Sequence, residues 1–351
     1  MNNAAKHIWP VSTALKLLNS THISDVQNDV MGIVLCAGVG SRMAPLTNFV
    51  PKPLLPALNI PLMFWNVAKL RSITGQISIN THYLHKCFDP LVEICERADM
   101  KAGLYYEPQL SGPFGGVLAC TARWTGSDAI VMMGDGFFDF NVADLMRVHR
   151  DAGNVLTIGV APVEDGSRYG ILSVDENDRV YAMREKPKGI GSTDNASCGV
   201  YVISRPGIER FRDTLKNIDW IDVVSEFLRL KTPVGVYRVN TWYDAGNPMD
   251  LLKLNLSILT SKYLSRLAFA DAIAPNLWTQ DDSQLNAKIN TADNVLVGET
   301  VKFHGRASVS NSIIGQNSTI GENVTIENAI ILPGSQISTG SILDGVIWSR
   351  A

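Results

Sequence analysis

The sequence predicts an α/β fold: a Rossmann-like, mostly parallel sheet with flanking helices, plus a short C-terminal parallel β-helix. Between residues 31 and about 260, strand-like runs alternate with helical patterns, which favours right-handed βαβ crossovers. Over the last sixty residues or so, apolar side chains recur about every six positions, the spacing of a β-helix face. The length of 351 residues exceeds that of a typical single domain, so we expect more than one.

The first segment is an N-terminal extension. In it a short amphipathic helix, Val11–Leu18, follows Pro10, and Ser12 or Thr13 is the expected N-cap. We expect this helix to pack on the core. The predicted domain bounds are 1–30 for the extension, 31–262 for the α/β domain, 263–290 for a linker and 291–351 for the β-helix.

The α/β domain is predicted from runs that end in glycine or polar residues. Because ligands bind at the carboxyl ends of parallel strands, we expect the functional site there. Strands are predicted at Gly32–Cys36, Gln76–Tyr83, Ala129–Met133, Val155–Val160, Val180–Arg184 and Cys198–Ile203, and helices at Pro61–Ser72, Val142–Asp151 and Pro248–Thr260.

The β-helix is predicted from hexapeptide periodicity. The segment Ile314–Thr319 is echoed by Ile320–Thr325, and about nine such hexads would make roughly three coils. A prism this short has exposed ends, so we expect it to pack on the α/β domain or on another subunit in a homo-oligomer. Apolar residues recur at Val297, Phe303 and Val309 and, after a one-residue slip, at Ile314, Ile320, Ile326 and Leu332.

Composition excludes several classes of protein. The net charge of −3 provides no basic block for binding nucleic acid. We expect no membrane association, because no run of about 18 apolar residues and no signal-peptide layout is present. The 5 cysteines are scattered without a C-x-x-C pair, as expected of reduced thiols in a cytoplasmic protein.

The most informative stretch follows the first strand. Gly38 and Gly40 let backbone N–H groups approach an anion closely and form a nest. Arg42 adds a planar fork suited to phosphate oxygens, and Lys52 is held between two prolines that fix φ. These features predict a triphosphate site.

Two commoner glycine loops are excluded. The dinucleotide fingerprint G-x-G-x-x-G would need glycine where Met43 stands. The Walker loop needs Gly-Lys followed by Ser or Thr, and this segment has no such sequence.

The stretch Gly38–Leu54 resembles the signature of the sugar-1-phosphate nucleotidylyltransferases, G-x-G-x-R-x-x-P-L-T followed by P-K-P-L. The resemblance implies that a sugar 1-phosphate attacks the α-phosphorus of a nucleoside triphosphate and releases pyrophosphate. The signature and the hexad tail look closest to mannose-1-phosphate guanylyltransferases. The resemblance also implies that the β-helix is left-handed, as in several of these enzymes.

The resemblance extends to a metal site. Asp135 follows the buried strand Ala129–Met133 in a Gly-Asp pair, and Asp244 lies in a match to W-x-D-x-G-x-P. In the family these carboxylates bind the catalytic Mg²⁺. Mg²⁺ takes one or two protein carboxylates and completes its octahedron with waters and phosphate oxygens.

The other roles that the resemblance implies fall into three groups. Arg42, Lys52 and Asp135 are the catalytic residues. The sugar phosphate would be bound by Gly170, Glu185, Lys186 and Ser197, because Glu185-Lys186-Pro187 matches E-K-P. The nucleotide would be bound by Leu35, Ala37, Gly38, Gly40, Ser41, Glu107, Gly112 and Gly115.

The sequence departs from the family pattern in two places. Gly112-Pro113-Phe114-Gly115 replaces G-T-A-G, and we expect Phe114 to reshape the base pocket. Ser197-Cys198-Gly199-Val200-Tyr201 replaces N-A-G-x-Y, so a hydroxyl stands where an amide would contact the sugar. This change favours an unusual or larger sugar, or weakened activity.

Two other functions stay open from the sequence. One is a non-catalytic regulatory subunit that binds a nucleotide sugar. The other is a nucleotidyltransferase that uses another base or a non-sugar phosphate, such as a cyclitol phosphate or phosphocholine. Retention of Arg42, Lys52, Asp135 and Asp244 favours an enzyme, since a non-catalytic copy has no need of both metal carboxylates.

Overall fold

The computed structural model describes residues 9–23, 26–214, 217–261, 270–274, 276–281 and 289–349. The helices are α1 Val11–Ser20, α2 Leu62–Arg71, α3 Pro90–Glu96, α4 Gly112–Cys120, α5 Val142–Asp151, α6 Arg205–Glu209, α7 Trp220–Arg229 and α8 Pro248–Thr260.

The strands of the first part of the chain are β1 Val30–Leu35, β2 Pro56–Ala57, β3 Ile60–Pro61, β4 Gln76–Thr81, β5 Lys101–Tyr106, β6 Asp128–Met133, β7 Gly136–Asp139, β8 Leu156–Val163, β9 Gly170–Val174, β10 Val180–Glu185, β11 Thr193–Ser204, β12 Val234–Arg238 and β13 Thr241–Asp244. Those of the last part are β14 Asp271–Ala274, β15 Leu277–Thr279, β16 Ile289–Val297, β17 Lys302–Phe303, β18 Ala307–Ile314, β19 Thr319–Ile320, β20 Val324–Glu327, β21 Ile330–Ile331, β22 Gln336–Ile337, β23 Ile342–Asp344 and β24 Ile347–Trp348.

The chain divides into two compact units that interleave in sequence. The sheet unit comprises His22–Val39 and Asn66–Tyr243. The β-helix unit comprises Met1–Thr21, Gly40–Trp65 and Asp244–Ala351. The domain bounds given above, which run consecutively along the sequence, stay a prediction.

The sheet unit contains the predicted α/β sheet. Its main strand order is β10-β9-β11-β6-β1-β4-β5, and β6, β1, β4 and β5 are mutually parallel. Strands β1 and β6 are almost entirely buried, as expected of parallel strands covered on both faces. Strand β11 joins antiparallel to β6 and β8, and β8 pairs parallel with β12. The carboxyl ends of β1, β4, β5 and β6 therefore share one edge, where the predicted nucleotide residues follow them.

The β-helix unit contains the predicted stack of parallel strands. Paired residues in successive coils are 17 positions apart, as in Val309, Ile326 and Leu343, instead of the 18 that three whole hexads would give. The step of 17 is also seen at the corners, where Asn311, Asn328 and Gly345 have positive φ. The one-residue slip in the sequence pattern reflects this shorter coil.

Strands β14 and β15 lie within the predicted linker and pair with each other, and β15 pairs parallel with β16. Leu277 of β15 is buried and belongs to the apolar core of the stack. The described part of the predicted linker is therefore built into the β-helix sheet.

The N-terminal extension forms the expected helix, but its cap differs from the prediction. Pro10 is the N-cap residue and supplies no side-chain hydrogen bond. Neither Ser12 nor Thr13 is the N-cap; both hydroxyls donate to Glu299 Oε1, which also accepts the Thr13 N–H at 3.0 Å. A carboxylate from the β-helix thus occupies the helix N-terminus, where unpaired N–H groups favour negative charge.

No described helix is both long enough and apolar enough to cross a membrane.

Candidate active site

The residues predicted for the site are found in both units. Leu35, Ala37, Gly38, Glu107, Gly112, Gly115, Asp135, Gly170, Glu185, Lys186 and Ser197 belong to the sheet unit, and Gly40, Ser41, Arg42, Lys52 and Asp244 to the β-helix unit.

In the β-helix unit, the two halves of the glycine-loop signature are in contact. Gly40 has φ +68°, and a Cβ at this position would come within 2.7 Å of the Lys52 Cβ. Glycine is therefore required here by both conformation and space. Ser41 and Arg42 follow in a 3₁₀ turn with exposed side chains, and the Met43 N–H donates to the Gly40 carbonyl at 2.9 Å.

Lys52 is a buried cation beside a carboxylate of the same unit. Its side chain is 8% exposed, and its Nζ lies 4.0 Å from Oδ1 of Asp244, which is 21% exposed. Burying a charged side chain is costly, and a neighbouring group of opposite charge offsets part of that cost. The structure thus places together two residues that the sequence singled out from motifs far apart in the chain.

A buried hydrogen-bond network anchors the loop that carries Lys52. Residues Leu58 and Asn59, with φ of 51° and 65°, form the turn between β2 and β3. The Leu58 N–H donates to Asn255 Oδ1 at 2.8 Å, and Asn255 Nδ2 donates to the Pro56 carbonyl at 3.0 Å. Asn59 Nδ2 donates to the Ile314 carbonyl of β18 at 2.9 Å. Asn255 lies outside the sequence motifs, and a polar residue among the leucines of α8 was the available signal for it.

In the sheet unit, the loop after β1 is fixed by Asn80, a residue that also lies outside the sequence motifs. The Cys36 N–H donates to Asn80 Oδ1 at 2.7 Å and lies 3.2 Å from the Asn80 carbonyl. The Leu35 carbonyl accepts the Gly134 N–H at 2.8 Å. Ala37 and Gly38 follow, and the space around a hypothetical Gly38 Cβ is open to 4 Å. This loop therefore begins rigidly and leaves room for a ligand to approach its backbone.

Glu107 is buried and engaged on both carboxylate oxygens. Oε1 accepts from Asn80 Nδ2 at 2.6 Å. Oε2 accepts from the Ser111 hydroxyl at 2.9 Å and from the Ser111 N–H at 3.2 Å. Ser111 is the N-cap residue of α4, which begins at Gly112 and contains Gly115. The structure thus connects three of the predicted nucleotide-binding segments.

Phe114 fills the core of the sheet unit. Its side chain is fully buried, with ring centroids 5.2 Å from those of Phe211 and Trp220. The Phe114 side chain thus packs among core aromatic residues, and its effect on the base pocket stays a prediction. An aromatic residue in the first turn of α4 contributes packing between α4 and α7.

Asp135 lies in the turn between β6 and β7, and this turn is held by Asn66 of α2. Asn66 Nδ2 donates to the carbonyls of Met133 and Gly136 at 3.1 and 3.2 Å, on either side of Asp135. Burial, followed by the charge of Asp135, raises the pKa of the Cys36 thiol well above its usual value. Asp135 therefore acts electrostatically on the end of β1. Asn66 was not singled out from the sequence, because its partners are backbone groups distant along the chain.

The residues predicted to bind the sugar phosphate adjoin one another. Gly170 pairs with Glu185 between β9 and β10. A Cβ on Gly170 would lie 3.0 Å from Glu185 Oε2 and 3.8 Å from the Ser197 Cβ. Lys186 Nζ lies 3.1 Å from Glu185 Oε1, and the Ser197 hydroxyl is 3.1 Å from the Tyr201 hydroxyl. This cluster presents a carboxylate, an ammonium group and a hydroxyl, which suits a polyol phosphate.

The donor set fits magnesium in ligand type. Across the residues that the structure describes, no group of three or more His, Cys, Asp or Glu side chains forms a metal cluster. Mg²⁺ does not need such a cluster, because it is usually held by one or two carboxylates plus substrate phosphates. Asp135 of the sheet unit and Asp244 of the β-helix unit each carry a carboxylate, the ligand type that Mg²⁺ takes.

Comparisons with known proteins agree with these observations. The family model for nucleotidyl transferase matches residues 31–261. A putative mannose-1-phosphate guanyltransferase of Sulfolobus acidocaldarius is 29% identical over 295 residues, covering 81% of this chain and 76% of that protein. The bifunctional protein GlmU of Methanococcus aeolicus is 27% identical over 232 residues, covering 65% of this chain and 54% of that protein.

A solved structure shares the fold. A putative glucose-1-phosphate thymidylyltransferase from Bacillus anthracis, in complex with a sucrose, matches with a TM-score of 0.59 and 20% sequence identity. The match covers 64% of this chain and 94% of that chain.

Proposed function

This chain belongs to the nucleotidyl transferase family, and on that premise we propose that it transfers a nucleotidyl group from a nucleoside triphosphate to a sugar 1-phosphate. The observation that carries the proposal is the contact of Gly40 with Lys52, whose ammonium lies 4.0 Å from Asp244. A glycine with positive φ, a buried cation and a carboxylate together are suited to a triphosphate and its metal.

The proposed reaction forms a bond between a sugar phosphate oxygen and the α-phosphorus, and breaks the bond to the β-phosphate. Backbone N–H groups of Gly38–Ser41 and the Arg42 guanidinium hold the phosphates that leave as pyrophosphate. Lys52 and Lys186 reduce the repulsion between the two phosphate groups. No general base is needed, because the attacking oxygen is already ionised at neutral pH. The residues act by positioning and by electrostatic stabilisation.

Asp135 and Asp244 are the proposed ligands of Mg²⁺, which would neutralise phosphate charge when bound. Gly170, Glu185 and Ser197 would bind the sugar, with Glu185 accepting hydrogen bonds from its hydroxyls. Leu35, Ala37, Glu107, Gly112 and Gly115 belong to the proposed nucleotide-binding segments.

GTP and mannose 1-phosphate, or a related hexose or cyclitol phosphate, are the proposed substrates. The name of the Sulfolobus acidocaldarius relative supports this pair. Ser197 favours an unusual sugar, because its hydroxyl is shorter than the amide of the family pattern.

Two further expectations complete the proposal. We propose a cytoplasmic location, where nucleoside triphosphates are available, and the 5 cysteines are all free thiols as that location requires. We also propose a homo-oligomer, because the predicted β-helix is short and has exposed ends.

The test is pyrophosphate release with Mg²⁺, using each common nucleoside triphosphate in turn with a panel of hexose and cyclitol 1-phosphates. Turnover with one pair supports the proposal and identifies both substrates. If folded protein binds a nucleotide sugar but no pair turns over, the chain is a regulatory subunit and the proposal is wrong. Turnover with phosphocholine alone would replace the sugar phosphate with another acceptor.

A further inference from the structure

Asn80 stands at the junction of the loop after β1 and the loop before α4. It belongs to β4, the strand next to β1 in the sheet. Its Oδ1 accepts the Cys36 N–H at 2.7 Å, and its Nδ2 donates to Glu107 Oε1 at 2.6 Å. The other oxygen of Glu107, Oε2, accepts hydrogen bonds from the N–H and the hydroxyl of Ser111, which is the N-cap residue of α4. A chain of hydrogen bonds, defined here as the Asn80 relay (Asn80, Glu107 and Ser111), therefore connects the two loops.

The Asn80 relay is buried, so its geometry is costly to change. Asn80 and Glu107 are each 3% exposed. Every hydrogen bond described for the Glu107 carboxylate comes from a donor of Asn80 or Ser111, as a buried carboxylate requires. Replacing either donor leaves a buried carboxylate oxygen with fewer hydrogen-bond partners. The free-energy penalty of such an unsatisfied buried oxygen exceeds the net stabilisation that the hydrogen bond provides.

Helix α4 is packed directly against the Asn80 relay. A Cβ on Gly116 would come within 2.4 Å of Asn80 Nδ2 and 3.1 Å of Glu107 Oε1. The helix backbone can therefore lie where it does only because position 116 has no side chain. The relay sets the separation of the loop after β1 from the first turns of α4.

We propose that Asn80 is a positioning residue for nucleotide binding, which fixes the loop Cys36–Gly38 relative to the start of α4 through Glu107 and Ser111. The inference rests on the proposed function, because it assumes that these two loops bind the nucleoside triphosphate. Within the described part of the chain, the close contacts of Gly170, Glu185 and Ser197 are with one another and with Met183, Lys186 and Tyr201, not with the relay. Disturbing Asn80 should therefore weaken nucleotide binding and spare the sugar phosphate.

The decisive variant is N80D. The introduced carboxylate keeps the acceptor for the Cys36 N–H, but it faces Glu107 Oε1 at the position of the lost Nδ2 donor. Two carboxylates at such a distance coexist only when they share a proton. Nucleotide binding by N80D should therefore be near the wild-type level at low pH and should weaken by about tenfold or more as the pH rises.

The titratable groups around the Asn80 relay are the same in both proteins, so the difference between their pH profiles can be assigned to the introduced carboxylate. His82 Nδ1 lies 2.7 Å from the Glu107 backbone oxygen, and this histidine is common to wild type and variant. Burial raises the pKa of the Cys36 and Cys120 thiols, so both stay protonated at neutral pH. The ratio of variant to wild-type affinity at each pH therefore reports the introduced carboxylate.

The experiment measures dissociation constants for mant-labelled GTP, ATP and UTP between pH 5.5 and 8.5, together with the KM for the sugar phosphate. N154L is the matched control, since Asn154 is also buried and hydrogen-bonded in the sheet unit but bonds to Thr157 and Arg179. We expect N80D to show the pH-dependent loss, N80L to show a loss at every pH, and N154L to show neither.

Equal nucleotide affinity of N80D and wild type at pH 8.5 would overturn the inference. So would a loss shared equally between nucleotide and sugar phosphate, which would indicate general damage. If wild-type protein turns over substrates and N80D behaves normally, only the positioning role fails. If the folded wild-type protein binds none of the nucleotides, the proposed function fails, and the inference fails with it.

Discussion

Replacing Lys52 with methionine removes a charge while keeping nearly the same side-chain length. The Nζ of Lys52 lies 4.0 Å from Asp244 Oδ1 in a setting where the lysine is 8% exposed. Two unit charges at that separation interact by about 4 kcal/mol at an effective dielectric constant of about 20. A phosphate oxygen held at a similar distance would lose the same interaction in K52M. Since about 1.4 kcal/mol corresponds to a tenfold change in rate, kcat/KM should fall about 10³-fold.

The chain contains a matched control for this prediction. Lys16 Nζ also lies 4.0 Å from a carboxylate, Asp271 Oδ2, but these side chains are 44% and 69% exposed. An exposed pair contributes about 0–1 kcal/mol, because water and salt screen it. K16M should therefore have wild-type kcat/KM in the pyrophosphate-release assay.

Thermal unfolding separates the catalytic effect from a folding defect. K52M removes the cation that lies next to Asp244. The melting temperature of the K52M protein should therefore fall, and the double variant K52M/D244N should recover part of that fall. Activity should not recover in the double variant, since both groups are proposed to act on the phosphates. A K52M protein with kcat/KM within tenfold of wild type would refute the electrostatic argument, and so would an equal loss in K16M.

Three further predictions concern the proposed metal ligand Asp135, the side chain of Asn66 that holds the turn around it, and the stability of the protein in acid. D135N should lower Mg²⁺-dependent turnover by several orders of magnitude with an unchanged melting curve; turnover within tenfold of wild type would exclude Asp135 as a ligand. N66L should weaken Mn²⁺ binding, followed by electron paramagnetic resonance, because the carbonyls on either side of Asp135 lose their common donor; an unchanged Mn²⁺ affinity would show that Asn66 is only structural. Asp128 is buried, which raises its pKa, but hydrogen bonds from His149 and Arg150 more than offset this and lower the pKa to about 2. Stability from Asp128 should therefore be complete above about pH 4 and lost as the pH falls towards 2, about 2 kcal/mol in all. Urea unfolding across that pH range should show that the free energy of unfolding falls less steeply with acid in D128N than in wild type. The same pH slope in both proteins would contradict the assignment of this effect to Asp128.

Local patterns were sufficient for most of the fold. The predicted strand at Gly32–Cys36 lies at Val30–Leu35, and the helices at Val142–Asp151 and Pro248–Thr260 have the predicted bounds. These elements are set by short apolar runs and by nearby caps, such as the Asn141 side chain that accepts the Ala143 N–H. The N-cap of α1 could not be predicted in this way, because its carboxylate comes from Glu299, far along the chain.

The site residues that lie in contiguous sequence motifs were predictable. The residues that hold the site loops through hydrogen bonds to distant parts of the chain were not. Gly40, Lys52 and Asp244 were found from their neighbours in sequence, and the structure joins them. The three residues that hold the loops are Asn66, Asn80 and Asn255. Each bonds to groups at least 27 and up to 199 positions away, and Asn255 has in addition a local bond to the Leu251 carbonyl. A buried asparagine in an otherwise apolar segment was the available signal, but its partners are defined only by the folded chain.

The turn at Leu58 and Asn59 has a consequence for protein engineering. This turn follows Lys52 by only a few residues. Its Leu58 N–H donates to Asn255 of α8, and its Asn59 side chain donates to the Ile314 carbonyl of β18. A truncation that ends the protein near residue 262 would leave the fully buried Leu58 and Asn59 without part of their surroundings. The C-terminal repeats are therefore not an interchangeable module: a chimera that takes them from a relative must take that relative's β2–β3 turn as well.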